Sequence, residues 1–234
     1  MRITYIHHSG FLVETRRCYY IFDYESGALP AMDPEKPVFV LSSHSHGDHY
    51  RPEVFDLLRD AGIQNVRAVL SHDIVPPEGV DTLSVLPNAQ YTLNPRQTLT
   101  TFRSTDLGVA FLVEDEEHLI YHAGDLNDWV WEGEPETWNA QMTADYRRQI
   151  RLLGEALGQR SVDAAFVVLD PRQEADYDRG MCFFLEHIVA KQVYPMHYWG
   201  NPGIIETFLQ DHPQYQGQMQ NTEETAQRAE RGSL

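Results

Sequence analysis

The sequence predicts an α/β fold of the αββα sandwich type, with two mixed β-sheets packed face to face and helices on the outside. Short strand-like segments open the chain, and further strands then alternate with segments of helical periodicity, which is typical of layered α/β proteins. Polar residues repeatedly follow apolar strands, as expected at the sheet edge where ligands bind. We expect a single domain over residues 1–217, followed by a polar tail over 218–234 that frays.

The first half of the chain predicts an opening β-meander, followed by two buried strands with a helix between them. The meander segments are short and separated by tight turns, whereas the later strands are apolar runs of the kind found in buried strands. The helical segment has apolar residues at helical spacing and stops before Gly62. The predicted strands are Ile3–Ile6, Gly10–Glu14, Cys18–Phe22, Pro37–Leu41 and Val66–Ser71, and the predicted helix is Arg51–Ala61.

The second half predicts a hairpin and then alternating helices and strands. The hairpin strands flank an acidic turn, and the longest predicted helix has apolar residues three or four positions apart. Two further strands follow it, with a helix between them. In chain order, these elements are strands Gly108–Glu114 and His118–His122, helix Thr143–Leu157, strand Asp163–Leu169, helix Phe183–Ala190 and strand Gln192–Met196.

The acidic composition limits the classes of partner. The formal net charge is −17, which disfavours nucleic acid because a polyanion would be repelled. No apolar run is long enough to cross a membrane, and the N-terminus reads as a strand rather than as a signal peptide. The two well-separated cysteines, Cys18 and Cys182, fit a reducing compartment. We expect a cytoplasmic protein that acts on a small molecule and binds neither nucleic acid nor a membrane.

A cluster of metal-binding residue types follows the predicted strand Pro37–Leu41. The segment His44–His49 packs three imidazoles and one carboxylate into six residues. Imidazole and carboxylate are the ligands that zinc and similar divalent ions prefer. If these side chains were buried without a metal, each would need its own hydrogen-bond or ion-pair partner. The segment therefore predicts a metal site.

The same segment has the HxHxDH pattern, and with it the chain resembles the metallo-β-lactamase superfamily. The resemblance runs from about Met1 to Tyr198. Asp23 matches an early aspartate that braces the motif loop, Tyr121–Asp125 matches the segment with a metal-bridging aspartate, and Pro195–Tyr198 matches the segment with the last histidine. The opening His8–Phe11 is most similar to the branch of ascorbate-phosphate lactonase-like enzymes.

The resemblance implies a metal-dependent hydrolase with one or two ions, of which zinc is the first expectation and Mn or Fe the alternatives. Paired cations lower the pKa of a shared water and polarise the bond under attack. Asp48 would also orient the nucleophile or carry its proton, so Asp48 and Asp125 are the candidate catalytic residues. The implied ligands are His44 and His46 for one ion, Asp48, His49 and His197 for the other, and Asp125 between them.

The chain departs from the family pattern at one ligand. The superfamily has a further histidine between the HxHxDH motif and the bridging aspartate, but the corresponding segment Phe102–Val109 contains none. Asp106 is the strong ligand within reach, and a carboxylate there would shift the site towards harder ions such as Mn²⁺. The alternative is that Asp106 caps a turn and that the first metal site is weak or empty.

Four residues near the predicted sheet edge are candidates for binding the substrate: His8, Trp129, Tyr198 and Arg172. The guanidinium of Arg172 could bind an anionic group on the substrate. It could equally pair with Asp170 in its own loop. The indole of Trp129 could form a wall over the metals or pack into the fold.

Three functions remain open from the sequence. The first is hydrolysis of an ester, lactone, amide or phosphoester by metal-activated hydroxide. The second is a di-iron redox protein, since the same fold can hold iron. The third is a regulatory or sensor protein whose incomplete metal site does not turn over, which the missing histidine keeps open.

Overall fold

The computed structural model describes residues 1–116, 118–223 and 225, and it divides into two compact units. The first unit contains Met1–Leu86 and the segment that begins at Thr222, and the second contains Pro87–Asn221. Each unit contains one six-stranded mixed β-sheet. Among the described residues, no helix combines the length and apolar character needed to cross a membrane. The single domain expected over residues 1–217 stays a prediction.

The sheet of the first unit begins with an antiparallel meander and continues with parallel strands. The β1, β2 and β3 strands pair antiparallel, and β3 to β6 pair parallel in chain order. The carboxyl ends of β1 and of β3 to β6 therefore share one edge of this sheet. The strands are β1 (Arg2–His7), β2 (Gly10–Glu14), β3 (Tyr19–Phe22), β4 (Val38–Ser42), β5 (Val66–Ser71) and β6 (Asp81–Val85).

One helix packs on the first sheet. Helix α1 (Glu53–Asp60) connects β4 to β5 and buries Val54 and Leu58. These two side chains belong to a core cluster with apolar residues of β2, β3 and β4. The helix ends before Gly62, whose φ of +80° is accessible to glycine without strain.

The sheet of the second unit is antiparallel in one half and parallel in the other. Its strand order is β12-β11-β10-β9-β8-β7, with β10, β11 and β12 parallel. Because β8 runs in the same direction as β10, the carboxyl ends of β8, β10, β11 and β12 share one edge. The strands are β7 (Gln90–Asn94), β8 (Gln97–Arg103), β9 (Val109–Asp115), β10 (His118–His122), β11 (Ala164–Val168) and β12 (Val193–Met196).

The helices of the second unit differ in their bounds from the predicted ones. They are α2 (Glu136–Leu157), α3 (Arg179–His187) and α4 (Gly203–Asp211). Helix α2 begins well before Thr143, because its first two turns contain no buried residue and so show no apolar periodicity. Helix α3 begins before Phe183 and ends before Ile188, whose backbone is extended.

The polar segment from Gln218 pairs with β12 over residues 218–220, and the fraying expected of the tail stays a prediction. The backbone N–H of Val193 donates to the carbonyl of Gln218 at 2.9 Å, and Gln220 donates to the carbonyl of Val193 at 2.8 Å. Met219, between them, is buried. Backbone pairing and one apolar side chain thus hold a segment whose composition is polar. Residues 224 and 226–234 of the predicted tail lie outside the described residues.

Candidate metal centre

The motif loop of the first unit is braced by Asp23, which follows β3. The carboxylate of Asp23 accepts hydrogen bonds from the backbone N–H and the hydroxyl of Ser43, both at 2.7 Å. It also lies 2.7 Å from Nδ1 of His49. Asp23 is fully buried with a φ of +40°, a backbone conformation that costs energy for a residue other than glycine. The bracing role implied by the resemblance is therefore visible in the contacts of this carboxylate.

Within the loop, His44 and His46 lie next to each other. Their rings are 4.6 Å apart, edge to face, and each offers a ring nitrogen within 4.8 Å of one on the other. His44 is buried and lies 3.0 Å from the hydroxyl of Ser43 through its Nδ1, whereas His46 is exposed. The first unit thus presents two imidazoles in a chelating arrangement.

His8, Asp48 and His49 form a second group in the first unit. One ligand atom of each lies within 4.8 Å of those of the other two, and Nε2 of His8 is 3.6 Å from Oδ2 of Asp48. His8 follows β1 at the edge that β3 and β4 share, and its φ of +49° turns the chain there. His8 is a candidate substrate-binding residue from the sequence, and its position beside Asp48 also makes it a candidate metal ligand.

A second carboxylate, Asp73, also holds the motif loop, and it was not among the residues predicted from the sequence. Oδ2 of Asp73, just after β5, accepts a hydrogen bond from the backbone N–H of Ser45 at 2.8 Å. Burial would raise the pKa of Asp73, but hydrogen bonds from Ser71 and Ser45 outweigh it and the pKa lies below its ordinary value. The sequence signal for this contact is the position of Asp73 just after β5, because β5 lies next to β4 and the motif loop follows β4.

In the second unit, Asp125 follows β10 at the end of a tight turn. The backbone N–H of Gly124 donates to Nδ1 of His122 at 3.1 Å, and Gly124 has a φ of +52°. The indole N–H of Trp129 donates to the carbonyl of Asp125 at 3.0 Å. The turn is thus held on both sides, and it presents a buried carboxylate at the carboxyl edge of the sheet.

His197 lies beside Asp125 and is oriented by Asp170. Nδ1 of His197 is 3.0 Å from Oδ2 of Asp170, and its Nε2 is 3.3 Å from Oδ1 of Asp125. Burial would raise the pKa of Asp170, but hydrogen bonds with His197 and Arg172 lower it to about 2. A carboxylate that holds one nitrogen of an imidazole fixes the direction of the other, as in many metal sites.

Asp106, which follows β8, lies near Asp125, and its backbone belongs to a turn. One of its carboxylate oxygens lies within 4.8 Å of one of Asp125, because β8 and β10 end at the same edge. Its backbone N–H also donates to the hydroxyl of Ser104 at 3.1 Å, within a turn. Asp106 is exposed. Its role as a ligand stays a prediction.

Arg172 is held within its own loop. Its guanidinium donates to both oxygens of Asp170, with Nη2 2.5 Å from Oδ2, and its Cζ lies 4.3 Å from the centre of the Trp199 ring. This is the pairing with Asp170 that the sequence left open. Binding of an anionic substrate group by Arg172 remains a prediction.

The two other candidate substrate-binding residues of the second unit, Trp129 and Tyr198, are buried. The indole of Trp129 stacks on that of Trp131 at 5.7 Å and lies 5.7 Å from the ring of His197. Trp129 therefore packs against the histidine rather than standing exposed over it. The roles of both residues in binding a substrate stay predictions.

Comparisons with known proteins agree with this architecture. No protein-family model matches the chain. A protein from Opitutus terrae, described as a UPF0173 metal-dependent hydrolase, is 27% identical over 146 residues, which are 53% of this chain and 63% of that protein. The match thus spans less than two thirds of the relative's length.

Two solved structures share the fold over 93% of this chain. A metallo hydrolase from the archaeon Ignicoccus hospitalis has a TM-score of 0.65 at 17% identity, and 93% of its own chain is covered. CmlA, a diiron β-hydroxylase from Streptomyces venezuelae, has a TM-score of 0.58 at 14% identity, with 52% of its chain covered. These likenesses confirm the fold class predicted from the sequence.

Proposed function

Because the chain has the fold of the metallo-β-lactamase superfamily, we propose that it is a metal-dependent hydrolase. The observation that carries this proposal is the motif loop of the first unit, where Asp23 and Asp73 hold a segment with three imidazoles and one carboxylate. The relative from Opitutus terrae is described as a metal-dependent hydrolase as well, which supports the same reading.

The proposed centre uses the ligands that the family resemblance implies. We assign His44 and His46 to one ion and Asp48, His49 and His197 to the other, with Asp125 between them. The family resemblance supports this assignment, and so does the grouping of ligand atoms within each unit. Asp106 would take the place of the missing histidine. The donor set is imidazole and carboxylate without thiolate, which suits Zn²⁺ and also admits Mn²⁺ or Fe.

The proposed chemistry is hydrolysis of an ester, lactone, amide or phosphoester. Bound divalent ions would activate water and polarise the bond under attack. The chain's own contribution begins with Asp48, whose carboxylate would accept the proton of the attacking water. His8, 3.6 Å from that carboxylate, would hold it in place or receive the proton from it. The net charge of −17 favours a small molecule over a polyanion as substrate.

Metal analysis combined with a substrate panel tests this proposal. We expect the purified chain to hold up to two equivalents of a colourless ion at this centre and to hydrolyse at least one member of an ester, lactone, amide and phosphoester panel. Asp125→Ala should abolish the activity and lower the metal content. Asp145→Ala, which removes a partly exposed carboxylate of α2 that bonds Arg148, is the matched control and should leave both unchanged.

Two other outcomes would replace the proposal. Bound iron with visible absorbance and no hydrolysis would favour a di-iron redox protein. This alternative is included because CmlA, which shares the fold, is a diiron β-hydroxylase. Full metal loading without turnover of any panel member would favour a regulatory or sensor protein.

A further inference from the structure

A second group of metal-binding residue types lies in the second unit, outside the centre described above. It consists of Asp178, Cys182 and His212, and one ligand atom of each lies within 4.8 Å of those of the other two. All three side chains are partly exposed, so an ion from solvent can reach them. Carboxylate, thiolate and imidazole are the three side-chain ligands that zinc sites use most.

One distance in this cluster matches a tetrahedral zinc site, and the other two would change by less than about 1 Å on binding. With Zn–S of about 2.3 Å and Zn–N of about 2.0 Å, tetrahedral geometry separates sulfur and nitrogen by about 3.5 Å. Sγ of Cys182 is 3.5 Å from Nε2 of His212 and 4.0 Å from Oδ2 of Asp178. Nε2 of His212 and Oδ2 of Asp178 are 2.6 Å apart, a hydrogen bond that would have to open by about 0.8 Å to admit the ion.

Regular backbone positions these three ligands. Asp178 is the N-cap residue of α3 and Cys182 lies one turn later, with its backbone N–H bonded to the carbonyl of Asp178 at 2.8 Å. Two ligands four positions apart on a helix point to the same side. His212 is the C-cap residue of α4, and its ring packs on that of Phe208 at 4.7 Å.

A separate contact fixes the two segments to each other. The hydroxyl of Tyr177 donates to Oδ2 of Asp211 at 2.8 Å, so the residues preceding Asp178 and His212 are also joined. The ligands are therefore brought together by the fold and do not depend on the ion to assemble. A prearranged set of ligands loses little conformational entropy when it binds an ion.

We propose that Asp178, Cys182 and His212 form a zinc site that ties α3 to α4, with water as the fourth ligand. On binding, the thiol proton of Cys182 is released to solvent and the Asp178–His212 hydrogen bond is replaced by two coordinate bonds. The proton that Nε2 of His212 shares with Asp178 is exchanged through solvent for one on Nδ1, so the imidazole remains neutral and Nε2 is free to bind zinc. Zinc with one thiolate and one carboxylate has no net charge, which suits a partly buried site in an acidic protein. The site shares no ligand with the hydrolytic centre.

Cobalt substitution tests this site separately from the hydrolytic centre. Co²⁺ bound to a thiolate has a near-ultraviolet charge-transfer band, and the ligands proposed for the hydrolytic centre include no thiol. We expect titration of the metal-free full chain with excess Co²⁺ to produce this band, with an amplitude that corresponds to one thiolate-bound ion. Cys182→Ser and His212→Gln should each remove it and lower the zinc content by one equivalent. His187→Gln, on the same helix and bonded to the carbonyl of Phe183, is the matched control and should retain both.

Two results would overturn the inference. One is a full chain that loads metal without the charge-transfer band. The other is a band that persists in Cys182→Ser, since it would then come from Cys18, the other thiol. Asp125→Ala should keep the band and the zinc equivalent of this cluster even where hydrolysis is lost. Failure of the hydrolase proposal and failure of this one therefore give different results.

Discussion

Single residues with non-glycine left-handed backbone conformations mark the carboxyl edges of both sheets. His8 and Asp23 have positive φ in the first unit, and His197 and Trp199 have positive φ in the second. Such a conformation costs about 1–2 kcal/mol for a residue with a β-carbon. Strain of this kind is retained where the surrounding contacts impose it and often coincides with functional sites. The strain here falls on the predicted substrate-binding residue His8, on the predicted metal ligand His197, and on Asp23 and Trp199.

At the scale of one residue, Asp170 is the most informative site to change. Asp170→Asn keeps the shape of the side chain but removes the charge that holds Nδ1 of His197 and the guanidinium of Arg172. We expect zinc affinity to fall by about 10–100-fold, the usual effect of removing a partner of a metal-binding histidine. Competition titration with a zinc indicator measures this change. An unchanged affinity would show that Asp170 does not orient a metal ligand.

Glu14 provides a pH-dependent test of stability in the first unit. Its carboxylate lies 2.8 Å from Lys36 and 2.9 Å from Arg2. Burial would raise the pKa of Glu14, but these partners outweigh it, so the pKa lies below its ordinary value of 4.5. Because the pKa is lowered in the folded state, the stabilisation is complete above pH 4.5 and is lost as the pH falls through the lowered pKa.

Comparison of Glu14→Gln with wild type measures this contribution. We expect the variant to be less stable by about 0.5–1 kcal/mol at neutral pH, a value reduced by solvent screening. The difference in the free energy of unfolding should disappear in acid. Urea unfolding at several pH values follows it, and a difference that stays constant down to the acid limit would contradict the assignment.

At the scale of elements, the parallel order of β3, β4 and β5 explains why the motif loop is held from both sides. Asp23 follows β3 and Asp73 follows β5, while the loop itself follows β4. Each neighbouring strand therefore supplies one carboxylate to the backbone of the loop. The arrangement constrains the positions of His44 and His46 before any ion binds.

Asp73→Ala tests this constraint, because it leaves the backbone N–H of Ser45 without its acceptor. We expect metal affinity to fall while the free energy of unfolding changes by only about 1 kcal/mol, since the lost contact lies on a partly exposed loop. Calorimetric metal titration and chemical unfolding provide the two values. Asp81→Ala, in β6 and largely exposed, is the control and should leave the metal affinity as in wild type.

For the whole molecule, strand positions were predictable where an apolar run has a tight turn at each end. Gly10–Glu14 and Val66–Ser71 agree with the structure at both ends. The start of α2 was missed, because an exposed first turn has no apolar period to detect. Among the site residues, those of the HxHxDH motif are contiguous and could be found in the sequence. Asp178, Cys182 and His212 were not found, because His212 lies 30 positions from Cys182 and only the tertiary fold joins them.

The segment 218–220 that pairs with β12 also bears on solubility. An uncovered edge strand exposes backbone groups that can pair with another molecule. Here Pro195 of β12 has no N–H to donate, and the N–H and the carbonyl of Val193 are both occupied by the segment. Gln220→Pro would remove one of these two hydrogen bonds, and we expect it to raise light scattering at high concentration relative to wild type. The segment 218–220 would then reduce aggregation by covering the edge strand β12.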